Sequence, residues 1–324
     1  MYQRGGGGGQ HHGNGSGNCL IVFFFFFFSL FLFLISLPGS ESATFTFVND
    51  CGYTVWPGIL SNAGTPQPST TGFILLPGQS AAVSVPPSWS GRMWGRTSCM
   101  QNATTGLFSC LTGDCGASTV ECSGAGAIPP ATLVEFTLNG ADGLDFYDVS
   151  LVDGYNLPLL VVPRGGTSGN CSVTGCAADL NASCPKELQV EGNGKHVACK
   201  SACDAFRDAQ YCCSGSFSTP SSCKPSKYSE FFKSACPKAY SYAYDDGTST
   251  FTCSSANYVI TFCPSPSGST RVAGDYPAEA AAVTWPGNAY TMPQASGAGS
   301  DGGRPPVAAY VAAAVVLAVG IGAA

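Results

Sequence analysis

The stretch "LDFYDVSLVD", Leu144–Asp153, carries three carboxylates on a segment that otherwise has the composition of a β-strand. Its aromatic and apolar residues are Phe146, Tyr147, Val149, Leu151 and Val152. Asp148 and Asp153 are five residues apart, so strand alternation sends them to opposite faces unless a bend or bulge intervenes. Asp145 is expected to point to solvent, as most carboxylates do. The stretch thus predicts a strand with an acidic surface.

Alternating patterns on either side predict further short strands. The segments "ATFTFVN" (43–49) and "TLVEFTLNG" (132–140) alternate apolar and polar residues, and turn pairs such as Pro77-Gly78 and Asn139-Gly140 are frequent. Short strands with this spacing favour a sandwich or barrel of mainly antiparallel sheet. Helical spacing occurs at 195–208 and 226–236, inside a cysteine-dense region. We therefore expect a β core and a second lobe with small helices.

Cysteine usage indicates an oxidising compartment. The chain has 17 cysteines, of which Cys19 lies in an apolar leader, leaving 16 from Cys51 to Cys263. An even number in a secreted domain predicts eight disulfides, but 16 cysteines allow on the order of two million pairings, so counting leaves the connectivity open. A zinc site is disfavoured because residues 43–263 contain a single histidine, His196. We expect neither a metal nor a cofactor.

The N-terminal 42 residues have the features of a secretory signal peptide. The run "CLIVFFFFFFSLFLFLIS", Cys19–Ser36, is apolar almost throughout, and small residues follow it. We expect cleavage after Ser42. A retained membrane anchor is the alternative, because the run is long for a signal peptide.

The C-terminal region predicts a tether. Residues 264–306 are rich in Pro, Gly, Ala and Ser, which is typical of a linker, and the apolar tail Val307–Ala324 follows. Small residues beginning at Ser296, a polar spacer and this tail form the signal for a glycosylphosphatidylinositol (GPI) anchor attached at Ser296. A transmembrane helix is the alternative, although no Lys or Arg follows the tail. The protein is therefore expected at the outer leaflet of the plasma membrane.

Charge and sequons narrow the class of protein. Residues 43–263 hold 11 Lys and Arg against 16 Asp and Glu, a net charge near −5. An acidic domain is a poor ligand for phosphate backbones, so nucleic-acid binding is excluded. Sequons at Asn102, Asn170 and Asn181 are compatible with a secreted glycoprotein.

Several longer motifs occur in one order along residues 43–263. Besides the opening stretch with its continuation to Pro158, they are "SGRMWGRTSC" (90–99), "GLFSCLTGDCG" (106–116) and "YSYAYDDGTSTFTC" (240–253). With the 16 cysteines, they resemble the plant thaumatin-like, or pathogenesis-related thaumatin, family. The resemblance implies a flattened antiparallel β sandwich with a disulfide-rich lobe at 170–253, an acidic cleft between them, and a monomer.

The resemblance also implies the disulfide pairs and the residues of the cleft. The pairs are Cys51–Cys263, Cys99–Cys110, Cys115–Cys122, Cys171–Cys253, Cys176–Cys236, Cys184–Cys199, Cys203–Cys212 and Cys213–Cys223. The cleft residues are Arg92, Glu135, Asp148, Asp153 and Asp245, with Asp246 as the alternative to Asp245.

Three functions are compatible with such a cleft. The first is binding of β-1,3-glucan or a similar wall polysaccharide, with an antifungal role, in which Phe146, Tyr147 and Tyr155 stack on sugar rings. The second is weak endo-β-1,3-glucanase activity, with Glu135 as the acid and Asp148 or Asp153 as its partner. The third is docking of a cationic protein partner. One histidine and no unpaired thiol leave no Ser-His-Asp or Cys-His arrangement to consider.

Overall fold

The computed structural model describes residues 43–264. The predicted signal peptide (1–42), the linker after residue 264, the anchor site Ser296 and the apolar tail (307–324) lie outside this range. Between residues 43 and 264, no helix combines the length and the apolar composition that a membrane crossing requires.

The described chain is built mainly from strands and four short helices. In chain order the strands are β1 (Ala43–Asn49), β2 (Trp56–Ser61), β3 (Ser80–Val85), β4 (Ser90–Gln101), β5 (Phe108–Thr112), β6 (Leu133–Thr137), β7 (Asp145–Ser150), β8 (Leu159–Arg164), β9 (Thr174–Cys176), β10 (Gln189–Gly192), β11 (Lys195–Cys199), β12 (Phe251–Cys253) and β13 (Asn257–Phe262). The helices are α1 (Ala202–Phe206), α2 (Ala209–Cys212), α3 (Lys227–Ala235) and α4 (Asp246–Ser249).

Two sheets form the β core. One has the strand order β3-β1-β13-β8-β9 and the other β12-β7-β6-β4-β2, while β5 pairs with β4 outside this path. All pairs in the two sheets are antiparallel except β1 with β13, which is parallel. The predicted mainly antiparallel sandwich is therefore confirmed, with one parallel pair at the centre of a sheet.

Alternate residues of both sheets fill one apolar core. The ring centroids of Phe45 on β1 and Phe136 on β6 are 4.6 Å apart, and those of Phe136 and Tyr258 on β13 are 4.8 Å apart, both in edge-to-face geometry. These rings are fully or almost fully buried. Aromatic pairs of this kind add about 0.5–1.5 kcal/mol each beyond the area they bury. The inward residues of β6 and β7 thus hold the outward residues in a fixed register.

The region after β9 contains the helices and the β10–β11 hairpin. The prediction of a helix at 226–236 is confirmed by α3, which begins after a capping box at Ser226 and Ser229. The prediction of a helix at 195–208 is wrong for its first half, because Lys195–Cys199 is strand β11. Asn193 and Gly194 both have positive φ, 52° and 72°, which is the backbone of a tight hairpin turn and joins β10 to β11.

Eight disulfides connect the described chain, as expected for its number of cysteines. The pairs are Cys51–Cys263, Cys99–Cys110, Cys115–Cys122, Cys171–Cys253, Cys176–Cys236, Cys184–Cys199, Cys203–Cys212 and Cys213–Cys223. The region from β9 to α3 buries Leu180, Leu188 and Phe232 in the main core, and four of the crosslinks constrain it in addition.

Candidate functional site

A row of charged side chains crosses the second sheet. Arg92 on β4 is directly opposite Glu135 on β6, and Glu135 is directly opposite Asp148 on β7. Their sequence neighbours Met93, Val134 and Val149 are buried in the core, so the charged residues point to the other face of the sheet. Cross-strand neighbours on one face have Cβ atoms about 4.5–5.5 Å apart. Arg92, Glu135 and Asp148, here called the acidic row, are therefore adjacent.

Asp153 approaches the acidic row from a turn after β7. The chain turns at Leu151–Gly154, where the amide of Gly154 donates to the carbonyl of Leu151 at 3.0 Å and Gly154 has a φ of +86°. This turn removes the alternation that would otherwise separate Asp153 from Asp148. The carbonyl of Asp153 accepts a hydrogen bond from the amide of Ala131 at 3.1 Å, which fixes the turn against the strand before β6.

Asp245 and Asp246 have different partners. Asp245 Oδ2 lies 2.9 Å from Lys233 Nζ and accepts hydrogen bonds from the backbone and the hydroxyl of Ser241 at 3.0 and 2.9 Å. Asp246 is exposed and accepts a hydrogen bond from the hydroxyl of Tyr240 at 3.0 Å. The charge of Asp246 acts on Asp148, whereas Asp245 is engaged with α3. Asp246 is therefore the better candidate of the two for the fifth member of the cleft.

The carboxyl groups of the site are held in an environment that favours their protonated forms. Burial raises the pKa of Asp148 well above its ordinary value; the charge of Glu135 raises it further and Arg92 opposes the rise. Burial also raises the pKa of Glu135 and of Asp153, again opposed by Arg92. Arg92 Nη2 lies 3.5 Å from Glu135 Oε1. One guanidinium thus partly neutralises three carboxylates.

Two polar atoms of the row lack a partner. Arg92 Nε and Asp148 Oδ1 are inaccessible to solvent and make no hydrogen bond with any residue in 43–264. Buried polar groups without partners are uncommon in native proteins and often mark functional sites. One of these atoms is a donor and the other an acceptor.

Two of the three aromatic residues expected to stack on sugars belong to the core instead. Tyr147 and Tyr155 are almost completely buried, and their hydroxyls donate to the carbonyls of Ser172 and Ala178 at 2.7 and 2.9 Å. The stacking prediction is wrong for both, because strand alternation and the turn point their rings inward. Phe146 is half-buried and lies on the face of β7 that carries Asp148.

Asp145 also departs from its expected role. It is buried, and its carboxylate accepts hydrogen bonds from the hydroxyl of Tyr258 at 2.7 Å and from the amide of Asn139 at 2.9 Å. Burial, together with the carboxylate of Asp145, raises the pKa of the Tyr258 hydroxyl. Asp145 therefore joins the two sheets and is not a solvent-exposed charge.

The three sequons lie in different surroundings. Asn102 and Asn170 are exposed, and their side-chain oxygens accept backbone hydrogen bonds, which leaves their amide nitrogens unengaged by residues 43–264. Asn181 is partly buried, and its amide donates to the carbonyls of Asn156 and Val197 at 2.9 and 3.2 Å. These bonds occupy the nitrogen that a glycan would need, so the geometry argues against modification of Asn181.

Within residues 43–264, no group of three or more His, Cys, Asp or Glu has the geometry to hold a metal ion. The site contains carboxyl groups and one guanidinium, and the hydroxyls of Tyr240 and Thr250 lie at its edge.

Comparisons with known proteins agree with this architecture. The model of the thaumatin family matches residues 49–264. Thaumatin-like protein 1 of Arabidopsis thaliana is 59% identical over 241 residues, which cover 73% of this chain and 92% of the relative. Pathogenesis-related thaumatin-like protein 3.5 of Cryptomeria japonica is 57% identical, over 69% of this chain and 91% of the relative. A Prunus avium relative described as a glucan endo-1,3-beta-glucosidase is 53% identical, over 73% and 96% respectively. The chain belongs to the thaumatin family.

Proposed function

We propose that this protein is a defence-related, cell-surface thaumatin-like protein whose acidic row binds β-1,3-glucan or a similar wall polysaccharide. The observation that carries the proposal is the row itself, in which the partly exposed side chains of Arg92 and Glu135 lie 3.5 Å apart and Asp148 is directly opposite Glu135. Each sugar hydroxyl is both a donor and an acceptor. Hydroxyls on one pyranose therefore suit the accessible parts of the Arg92 guanidinium, which donates, and of the Glu135 carboxyl, which accepts.

The electrostatics support a neutral ligand. The carboxyl groups of Glu135, Asp148 and Asp153 have raised pKa values, and Arg92 offsets part of their charge. A protonated carboxyl donates one hydrogen bond and accepts others. The row therefore offers hydrogen-bond donors and acceptors to a polysaccharide. Hydrogen bonds between these partly exposed groups and sugar hydroxyls replace bonds to water, so each contributes a modest net gain.

The proposal is tested by co-sedimentation with insoluble β-1,3-glucan. The bound fraction and the reducing ends released are recorded for the wild-type protein, Glu135→Gln and Asp148→Asn. Glu191→Gln is the matched control, because that side chain is 78% exposed on β10, outside the row. We expect binding that both row variants weaken and the control leaves unchanged. Absence of wild-type binding would overturn the proposal and leave docking of a cationic protein as the use of the acidic surface.

Hydrolysis of the same polymer is the second candidate. Two carboxyl groups split a glycosidic bond when one is protonated and the other is ionised. Glu135 and Asp148 are directly opposite on adjacent strands, a spacing nearer to the separation of about 5 Å in retaining enzymes than to the wider one of inverting enzymes. The relative from Prunus avium with the glucosidase description supports this candidate.

The pKa directions suggest roles for the pair. Asp148 has its pKa raised most strongly, which suits it as the acid, and Glu135, closest to Arg92, suits the role of nucleophile. This assignment reverses the roles expected from the sequence. Release of reducing ends that Glu135→Gln and Asp148→Asn both abolish, with the control unaffected, would support hydrolysis; binding without release would exclude it.

We further propose that the domain is secreted and tethered. In this proposal residues 1–42 are a signal peptide, residues 43–263 form the thaumatin-like domain with a disulfide-rich lobe at 170–253, and residues 264–306 are a linker. A GPI anchor at Ser296 replaces the tail 307–324. The tether keeps the cleft against the cell's own wall, where host glucan and fungal glucan are both accessible. Glycans at Asn102 and Asn170 complete the proposal.

A further inference from the structure

Two strongly exposed apolar side chains lie on either side of a sequon. Met100 is 59% exposed, the highest fraction among the large apolar residues of 43–264, and Leu107 is 53% exposed. Both belong to the hairpin that joins β4 to β5, and Asn102 lies between them in the sequence. A single exposed apolar residue is ordinary, whereas adjoining ones mark a surface that another group covers. The hairpin is therefore a candidate contact surface.

The three side chains share one face of the hairpin. Phe108 is buried, so its sequence neighbours Leu107 and Ser109 point to the opposite, outer face. Met100 is directly opposite Ser109, which places it on the outer face as well. Asn102 is two residues after Met100, and its backbone amide donates to the carbonyl of Leu107 at 2.8 Å. Met100, Asn102 and Leu107, here called the hairpin face, are therefore adjacent.

The side chain of Asn102 is held by the turn and keeps its nitrogen available. Its oxygen Oδ1 accepts hydrogen bonds from the amides of Thr104 and Thr105, both at 2.9 Å. Its nitrogen Nδ2 makes no hydrogen bond with any residue in 43–264. A side-chain amide is planar, so fixing its oxygen also fixes its nitrogen. A sugar bonded to Nδ2 thus starts from a defined position on the hairpin face.

An N-linked sugar has the chemistry to cover this face. The first sugar of an N-glycan, N-acetylglucosamine, has C–H groups on its ring faces and a methyl group on its acetamide. These apolar parts can pack on Met100 and Leu107 while the hydroxyls at the ring edge remain in water. The attachment is covalent, so the contact costs little translational freedom and weak apolar contacts are sufficient.

The other two sequons lack this setting. Asn170 is exposed, and the residues within two positions of it, from Ser168 to Ser172, include no large apolar side chain. Asn181 uses its nitrogen to donate to the carbonyls of Asn156 and Val197. Among the three sequons, Asn102 alone combines an available nitrogen with exposed apolar neighbours.

We infer that an N-linked glycan at Asn102 is a structural part of the domain, and that its first sugars cover Met100 and Leu107. The inference rests on the glycosylation included in the proposed function. It goes beyond that proposal because it assigns the glycan a contact surface. The glycan should therefore shield Met100 from oxidants and stabilise the hairpin.

The test compares protein secreted from a eukaryotic host with and without this glycan. Thr104→Ala removes the sequon and keeps the hydrogen bonds of Asn102, because Thr104 contributes its backbone amide to them. Ser172→Ala removes the sequon of Asn170 and is the matched control. Peptide mass spectrometry reports the occupancy of both sites. Enzymatic removal of glycans from folded wild-type protein gives the same comparison if Thr104→Ala is not secreted.

Oxidation of Met100 by hydrogen peroxide is the first readout. Peroxide transfers one oxygen atom to the thioether sulfur, which gives the sulfoxide and water. Susceptibility follows exposure, so we expect Met100 to oxidise about two to three times faster in Thr104→Ala than in the wild type or in Ser172→Ala. Met93 is fully buried and serves as the internal control, since it should stay unoxidised in all three proteins.

Thermal unfolding in a double-mutant cycle is the second readout. We expect Thr104→Ala to lower the Tm by about 2–4 °C. In the Leu107→Ser background the same change should lower the Tm by about half as much or less, because the glycan then has less apolar surface to cover.

The two readouts separate this inference from the proposed function. An unoccupied Asn102 overturns the inference together with the proposed glycosylation of that residue, while glucan binding by the acidic row is decided by co-sedimentation. An occupied Asn102 with equal oxidation of Met100 in wild type and Thr104→Ala overturns the inference alone. Slow oxidation in both would show that another molecule, such as a second copy of the chain, covers the hairpin face. An equal loss of Tm with and without Leu107→Ser also overturns the inference.

Discussion

Replacing Asp148 by asparagine should stabilise the fold while it weakens glucan binding. Asp148 faces Glu135 across two strands, and its Oδ1 atom is buried without a partner. Like charges directly opposite each other cost about 0.2–1 kcal/mol, and an unsatisfied buried polar atom costs about 1–3 kcal/mol. Asparagine removes the charge and brings an amide that can donate to Glu135. Lost attraction to Arg92 offsets part of the gain, so we expect about 1–2 kcal/mol of net stabilisation.

The stability gained by Asp148→Asn should depend on pH. The folded-state pKa of Asp148 is raised by burial and by Glu135, so its protonated form contributes stability below its ordinary pKa, and that stability is lost as pH rises through the raised value. At pH 8 the variant avoids this loss. At pH 3 the wild-type side chain is neutral as well. The stability difference should therefore be present at pH 8 and absent at pH 3.

Thermal unfolding at both pH values measures this prediction. For a domain of this size, 1 kcal/mol corresponds to about 2–4 °C in Tm. Glu191→Gln is the control, because its exposed carboxylate lies outside the row. A lower Tm for Asp148→Asn at pH 8, or the same gain at pH 3, would refute the argument. Stabilisation together with lost binding is the result expected of a site kept for function at the expense of stability.

Other perturbations have equally definite outcomes. Lys233→Met should lower the denaturant midpoint, because it leaves the largely buried carboxylate of Asp245 without its cation. Breaking comparable pairs costs about 3 kcal/mol of folding stability. An unchanged midpoint would contradict this prediction. Gly154→Ala should destabilise the fold, because a Cβ there would lie 2.7 Å from the carbonyl oxygen of Cys199 and the residue has a φ of +86°. It should also weaken glucan binding, because the turn positions Asp153. Wild-type Tm and binding would show that the turn tolerates alanine. Reductant should lower the Tm strongly, since each disulfide contributes about 2–4 kcal/mol, non-additively; a Tm insensitive to reduction would contradict this. Phosphatidylinositol-specific phospholipase C should release the protein from membranes, and resistance to it would favour the transmembrane helix.

Local patterns predicted the strands well and the lobe less well. Alternation identifies β1, β6 and β7, because each of them has one face in the core. Residues 195–208 were predicted to be helical because Ala198, Ala202 and Phe206 recur every four residues. The pair Asn193-Gly194 is the stronger sequence signal, because Asn-Gly is preferred in two-residue hairpin turns. Both residues do adopt positive φ in the structure.

Contacts between residues that are distant in sequence limit how much of the site can be predicted from the sequence. Asp145 resembles a solvated charge in the sequence, yet its partner Tyr258 is 113 residues away. Asp245 and Asp246 are neighbours with the same side chain, and the distinction between them depends on Lys233 and on the start of α4. No pattern within the motif "YDDGTS" carries that information. The turn at Gly154, by contrast, was required by the spacing of the two aspartates in the opening stretch.

The parallel pairing of β1 with β13 has a mechanical consequence. β13 is the central strand of its sheet, and Cys263, directly after it, is crosslinked to Cys51, two residues after the end of β1. Tension applied at residue 264 against a polymer held in the cleft enters the middle of the fold. It loads the hydrogen bonds on both sides of β13 in shear, where they resist together, and the disulfide blocks extraction of the strand. The domain should therefore sustain pulling forces that would unzip a terminal edge strand.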